Sequence, residues 1–300
     1  MPKKPQQTTS LGNFNYGSLQ SLMVFFSVPV ASVSRLLAGT GLKPGVFDGK
    51  ALINLNFERY AGFGSTYSSY VDEVEFNVVV YPAFRAGTEP QIGVADYLNG
   101  QDQSKTYGNY RINVPCDSAV AVDAGSSKYG EVKFVAGFDF NVPDVNDPAV
   151  EIWWIRAFAN NKAQQAITSA NAKRKVSLQH TPYIFDLQVN TNFPSPAPSY
   201  SPFSPVPAYA NLQGKMISSS RVVFGLFKIW CDAKKDTNGN YGPVNPLPIG
   251  AVAFQVGDEK SSDNGMHEQL MSAFKGNPKA VGILLYESQP AASSGHTRLD

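Results

Sequence analysis

The alternation along residues 70–81 limits the fold more than any other feature of the sequence. Val74, Phe76, Val78 and Val80 fall on one side of an extended chain, and Glu73, Glu75 and Asn77 on the other. Side chains point to opposite faces with period two along a strand, so this is a strand with one apolar face and one wet or pocket-facing face. Residues 51–58, Ala-Leu-Ile-Asn-Leu-Asn-Phe-Glu, alternate in the same way. A Gly- and Ser-rich turn at 61–69 leads from one to the other. Further strands are expected at 22–30, 109–114, 132–140, 149–158, 182–189, 220–231, 250–256 and 280–286. Only three helices are plausible, at 32–38, 116–124 and 264–275. Many strands and few helices predict a β-dominated α+β fold rather than a doubly wound sheet.

The 300 residues suffice for a large core. Hydrophobic residues make up 43% and charged residues 16%, which excludes global disorder. The formal charge is +1, and Lys and Arg form short pairs rather than a stripe, so nucleic acid is not an expected partner. Residues 1–17 are polar and expected to form a mobile leader. One domain is expected over 18–290, with a tail at 291–300. The Pro-rich stretch 193–207 is flanked by strands and is expected to be a loop inserted in that domain. Residues 22–30, followed by small residues to Ser34, have two readings. One is a buried strand, in a cytoplasmic protein. The other is a secretory signal over 22–34. The run is too short to span a bilayer, so no membrane association is expected.

Several motifs fail on spacing. His180, His267 and His296 are scattered, so no metal site is expected, and His267 is expected at the surface of its helix. Cys116 and Cys231 form no CxxC and are expected to be reduced thiols, one disulfide being the alternative. No GxSxG elbow occurs. Gly39 to Gly45 has the wrong spacing for a dinucleotide loop, and Asp236 to Asn240 lacks the later ligands of a calcium loop.

One segment carries chemistry. Residues 112–140 place a small-residue run ending in Gly125 before Tyr129-Gly130-Glu131-Val132-Lys133, with Lys133 eight residues after Gly125. This stretch resembles the active-site segment of the acetoacetate decarboxylase-like superfamily, in which a reactive lysine lies at that distance from a glycine. Residues 24–60 resemble the family's opening, and Tyr70-Val71-Asp72-Glu73-Val74 resembles its Tyr-x-Glu segment. The resemblance covers residues 22–140 well and the remainder only in topology.

The resemblance implies a cone-shaped β-barrel with a flanking sheet and few short helices. It also implies a homo-oligomer, no cofactor, and a Schiff-base lyase acting on a small or medium keto acid. Lys133 would be the nucleophile and Glu73 the acid/base, with Asp72 its competitor. Tyr70 and Phe134 would contact substrate. There are departures. Phe134 stands where decarboxylases carry a second lysine, Ser126-Ser127 where they carry Arg-Glu, Val132 replaces a proline, and no arginine lies near Gln20. A lysine must be unprotonated to attack, and its ordinary pKa is about 10.4. With no neighbouring cation, desolvation is the expected lever. The reaction need not be decarboxylation; aldol, dehydration and cyclisation chemistry are equally admissible. The alternative is a non-catalytic binder holding a hydrophobic small molecule in the barrel.

Overall fold

A computed structural model describes residues 14–62, 70–102, 104–143, 149–159, 182–192, 207–219, 221–222, 225–232, 245–259, 264–288, 291–293 and 297–298. In chain order the elements are β1 (Phe14–Val28), α1 (Val30–Ser34), β2 (Leu42–Pro44), β3 (Val46–Phe47), β4 (Lys50–Gly62), β5 (Tyr70–Pro82), α2 (Val94–Leu98), β6 (Gly108–Cys116), α3 (Ala119–Tyr129), β7 (Lys133–Val135), β8 (Gly137–Asn141) and β9 (Ile152–Phe158). There follow β10 (Phe185–Asn190), β11 (Ala208–Leu212), β12 (Lys215–Ser219), β13 (Arg221–Val222), β14 (Gly225–Cys231), β15 (Asn245–Pro246), β16 (Val252–Val256), α4 (Met266–Ala273), β17 (Ala280–Ser288), β18 (Ala291–Ser293) and β19 (Thr297–Arg298). A 3-10 turn at Ala83–Arg85 follows β5.

The strands form two sheets. The larger is mixed and runs β15-β14-β17-β1-β4-β5-β6-β11-β12-β19, and the smaller runs β16-β10-β9-β8. The β-dominated α+β class, the flanking sheet and the short helices match expectation. The closed barrel does not: among the described residues, β15 and β19 are the two ends of an open order.

The alternation in β4 and β5 places Ile53, Leu55, Phe57, Val74, Phe76 and Val78 on one face of the large sheet. That face packs on Phe138, Trp153, Ile155, Phe185 and Leu187 of the smaller sheet and on Met266 and Leu270 of α4. Burying one such side chain is worth roughly 1.5–3 kcal/mol, so this layer dominates the stability of the fold. The opposite face carries a second apolar cluster that includes Leu19, Met23, Phe25, Leu52, Val71, Val79 and Cys116. Both faces of β5 are therefore covered, and apart from Tyr70 all its residues are buried.

The expected boundaries shift in places. β1 begins at Phe14, inside the stretch expected to be a leader, and is hydrogen-bonded to β4 on one side and β17 on the other. Residues 22–28 are thus the C-terminal half of a central strand. Part of the expected tail joins the sheet, as β18 pairs with β1 and β19 with β12. Residues 193–206, most of the Pro-rich stretch, lie outside the described residues. Cys116 and Cys231 are free and buried. Among the described residues, no helix is long and apolar enough to cross a membrane.

Candidate active site

The adjacent strands β4 and β5 bring a polar strip into the second face. The β4–β5 register sets Glu58 opposite Glu73, Asn56 opposite Glu75 and Asn54 opposite Asn77. All six residues are buried. Like charges directly opposite each other on a sheet are destabilising, and buried carboxylates more so. The strip is held by a hydrogen-bond network. Asn56 Nδ2 donates to Glu58 Oε1 at 2.7 Å and to Glu75 Oε2 at 3.1 Å. Asn77 Nδ2 donates to Glu75 Oε2 at 3.1 Å and to Asn54 Oδ1 at 3.0 Å. Ser21 of β1 donates to Asn56 Oδ1 at 2.7 Å, and Asn54 Nδ2 to Asn109 Oδ1 of β6 at 3.0 Å.

The lysine arrives from the other side of β6. Ser118 caps α3, its Oγ accepting from the Ala121 N–H at 3.3 Å. The helix, expected over 116–124, runs on past Gly125 and ends at Gly130 in the left-handed region with φ 65°. A Cβ on Gly130 would also run into the backbone of Asn211 in β11. The chain turns there and enters β7, which pairs in parallel with β6, Lys133 standing beside Val114. Residues 131 and 133 share one face, so Glu131 and Lys133 both project into the site. Gly125 makes room for them. A Cβ at that position would meet the Glu131 carboxylate and lie 2.7 Å from Lys133 Cδ. This gives a physical reason for a glycine eight residues before the lysine.

Lys133 Nζ lies 2.5 Å from Glu73 Oε2 and 3.5 Å from Glu131 Oε2. Glu73 Oε2 also accepts a hydrogen bond from the Tyr60 hydroxyl at 2.9 Å. Arg111 of β6 bridges Glu75 and Glu131, each at 2.5 Å. Burial pulls the Lys133 pKa down more strongly than any other single influence. The opposing influences, Glu73 first, then Glu131 and Cys116, nevertheless prevail, and the pKa stands well above the ordinary lysine value. The expected desolvation lever is present but is outweighed by the groups around the amine, Glu73 foremost. In the resting site Lys133 is an ammonium ion, and Glu73 is positioned to take its proton.

The residues expected from the sequence separate into two groups. Lys133 and Glu73 are in contact. Asp72 points to the other face, where Arg59 Nε donates to it at 2.8 Å, so it does not compete for Lys133. Tyr70 is corrected: it is 55% exposed at the start of β5, on the Asp72 side, and lies over Arg59 rather than near the lysine. Phe134 is corrected as well. It follows Lys133 in β7 and so faces the opposite way, into the core between the sheets. His267, expected at the surface, is buried, with Nε2 3.1 Å from the Gly257 carbonyl oxygen. His180 and His296 lie outside the described residues.

The sequence reasoning missed Tyr60, Arg111, Glu131 and Glu58. Glu131 could have been found from its spacing of two from Lys133. Carboxylate oxygens of Glu58, Glu73 and Glu75 lie within 4.8 Å of one another, a spacing that could hold a cation. In this arrangement the Lys133 ammonium takes that role at Glu73.

The fold and the site define a β-dominated α+β protein with a buried lysine–carboxylate centre. No protein-family model and no curated protein matches the sequence. Solved structures do match. The chain is similar to the enduracididine biosynthesis enzyme MppR complexed with pyruvate, with a TM-score of 0.58 and 12% identity over 100% of this chain and 95% of that one. It is similar to an acetoacetate decarboxylase-like enzyme from Sphingomonas wittichii RW1, with a TM-score of 0.54 and 11% identity over 100% and 97% of the two chains. It is also similar to acetoacetate decarboxylase from Legionella pneumophila, with a TM-score of 0.56 and 8% identity over 100% and 93%. The protein has the acetoacetate decarboxylase-like fold.

Proposed function

We propose that the protein is a lyase that forms a Schiff base between Lys133 and a carbonyl substrate. The observation that carries this reading is the contact of a buried Lys133 Nζ with Glu73 Oε2 at 2.5 Å, on an oxygen that also accepts from Tyr60. Glu73 takes a proton from the ammonium, and the free amine attacks the carbonyl carbon. Glu73 returns the proton to the hydroxyl of the carbinolamine, which leaves as water, and a protonated imine remains. The imine accepts the electron pair of an adjacent C–C or C–H bond as that bond breaks. Protonation and hydrolysis then release the product and restore Lys133. Tyr60 is a positioning residue that fixes the Glu73 carboxylate. The reaction ranges over decarboxylation and aldol, dehydration or cyclisation chemistry.

The ammonium resting state sets the first barrier. Substrate must enter, and the proton must move to Glu73, before the amine can attack. A non-catalytic binder of hydrophobic ligands draws no support from this strip, because an apolar molecule there would face carboxylates and carboxamides. Borohydride trapping with a panel of ketones and keto acids, read by mass spectrometry, tests the proposal. A reduced adduct on Lys133 is expected, and no adduct with any carbonyl compound would sink it.

A further inference from the structure

Two carboxylates face the Lys133 amine, and they are not equivalent. Glu73 Oε2 is in hydrogen-bond contact with Nζ at 2.5 Å, and it also accepts from a neutral phenol, the Tyr60 hydroxyl. Glu131 Oε2 lies 3.5 Å from Nζ, near enough to attract its charge but beyond ordinary hydrogen-bond length. The other oxygen of Glu131, Oε1, meets Arg111, a guanidinium that stays charged throughout the working pH range. Glu131 is also fixed in place. Its N–H donates to the Gly125 carbonyl oxygen at 3.2 Å, and its side chain is 8% exposed. The left-handed turn at Gly130 comes just before it, and Gly125 lies against Oε2 itself.

Schiff-base chemistry asks two things of the groups around the nitrogen. One group must carry protons. Ammonium plus carbonyl gives protonated imine plus water, so two of the three N–H protons leave with the oxygen and one stays. Another group must hold the remaining charge, because a neutral imine is a poor electron sink. Proton transfer to Glu73 uncovers the lone pair on the Glu73 side of Nζ. The carbonyl carbon, and the hydroxyl that later leaves, therefore lie on that side, and the surviving N–H is directed to the side of Glu131. The other titratable groups nearby are Glu58 and Tyr60 of β4, which lie beside Glu73, and Arg111 and Cys116 of β6. Burial foremost pushes the Cys116 thiol far above its ordinary range, so it offers the nitrogen no charge.

We propose that Glu131 is a further catalytic residue of this site, the fixed counter-ion of the protonated imine, while Glu73 carries the protons. This rests on the Schiff-base reading of Lys133 and divides the roles within it. After water leaves, the single N–H of the imine faces Glu131 Oε2. The paired charge keeps the nitrogen protonated while the adjacent bond gives up its electron pair. Arg111 holds the far oxygen, so Glu131 keeps its place as Glu73 gains and loses its proton.

The test uses the full chain, with lysine carrying a nitrogen-15 label at the ε position. The protein is saturated with acetone, or with acetaldehyde where acetone forms no imine, and titrated by nitrogen NMR, which separates protonated from neutral imine. The native imine is expected to lose its proton at higher pH than the free imine of the same carbonyl compound with butylamine. Glu131→Gln, which keeps an acceptor for Arg111, should lower that midpoint by about one pH unit or more, and Glu131→Asp should recover part of the shift. Glu73→Gln should move the midpoint less and slow imine formation by about a hundredfold or more. A native midpoint at or below that of the free imine overturns the inference and leaves the Schiff-base reading standing. So does an unmoved midpoint in folded Glu131→Gln, or a larger shift in Glu73→Gln. No imine signal with either compound overturns both. The native comparison keeps the inference open to refutation where a variant does not fold.

Discussion

Gly125→Ala separates the needs of the helix from the needs of the site. In an ordinary helix interior the change would stabilise by about 1 kcal/mol, because alanine is the better helix former. Here the new Cβ would lie 2.7 Å from Lys133 Cδ, where ordinary contact begins at 3.4 Å. Lys133 must therefore shift by up to about 1 Å, and the Glu131 carboxylate must leave its place between Arg111 and Lys133. Overpacking of this sort costs about 1–3 kcal/mol, so the helix gain offsets part of it and the net loss is about 0–2 kcal/mol. The chemistry should suffer far more, since a misplacement of about 1 Å costs on the order of a hundredfold in rate. The assay pairs chemical denaturation with the rate of borohydride trapping at Lys133. Ser127→Ala, on an exposed position of the same helix, is the control and should leave trapping unchanged. A Gly125→Ala protein that is more stable than the native one and traps at the native rate would refute the claim that Gly125 makes room for the lysine.

Other outcomes follow from the same contacts. Lys133→Met should abolish the adduct and destabilise by about 3–5 kcal/mol in urea unfolding, because it removes the cation that pairs with buried Glu73; adding Glu73→Gln should recover part of that loss. Glu131→Gln removes one of the two carboxylates that raise the Lys133 pKa, so the trapping rate, measured against pH, should begin to rise at lower pH than in the native protein. Burial, with Asp72 second, pushes the Asp117 carboxyl from 3.8 up to about 6. Between those values the folded chain keeps a proton that the unfolded chain has lost, so stability falls as pH rises through that window. Asp117→Asn keeps an acceptor for the Asp72 N–H and should stabilise at pH 8 by at most about 3 kcal/mol while changing little near pH 4, as read by urea titrations at both.

The fold was legible because its signals are local. The alternation in β4 and β5 needs only neighbouring residues, and the structure has strands at both places. The break between β7 and β8 was not legible: residues 132–140 look like one strand, yet Lys133–Val135 pairs in the large sheet and Gly137–Asn141 in the small one. Which sheet a short strand joins depends on partners far along the chain. The closed barrel came from resemblance, and pairing at the sheet ends is likewise a long-range property.

The site divides along the same line, with one difference. The errors at Tyr70 and Phe134 could have been avoided from the sequence, because parity along a strand excludes both. Tyr70 is three residues from Glu73 and Phe134 is one from Lys133, and odd separations face opposite ways. The same rule admits Glu131. Tyr60 and Arg111 needed the register between strands, which Glu58 opposite Glu73 and Asn77 opposite Arg111 reveal only once the sheet is assembled. The charge state of Lys133 belongs with them. Its sequence neighbours Val132, Phe134 and Val135 are apolar and suggest a lysine whose pKa is lowered by burial. The carboxylate of Glu73, sixty residues away, is set against it by the β5–β6 and β6–β7 pairings. The sign of the shift is therefore decided by sheet register and not by the segment that carries the lysine. If this protein uses Lys133 as a nucleophile, the proton transfer to Glu73 must be part of its turnover.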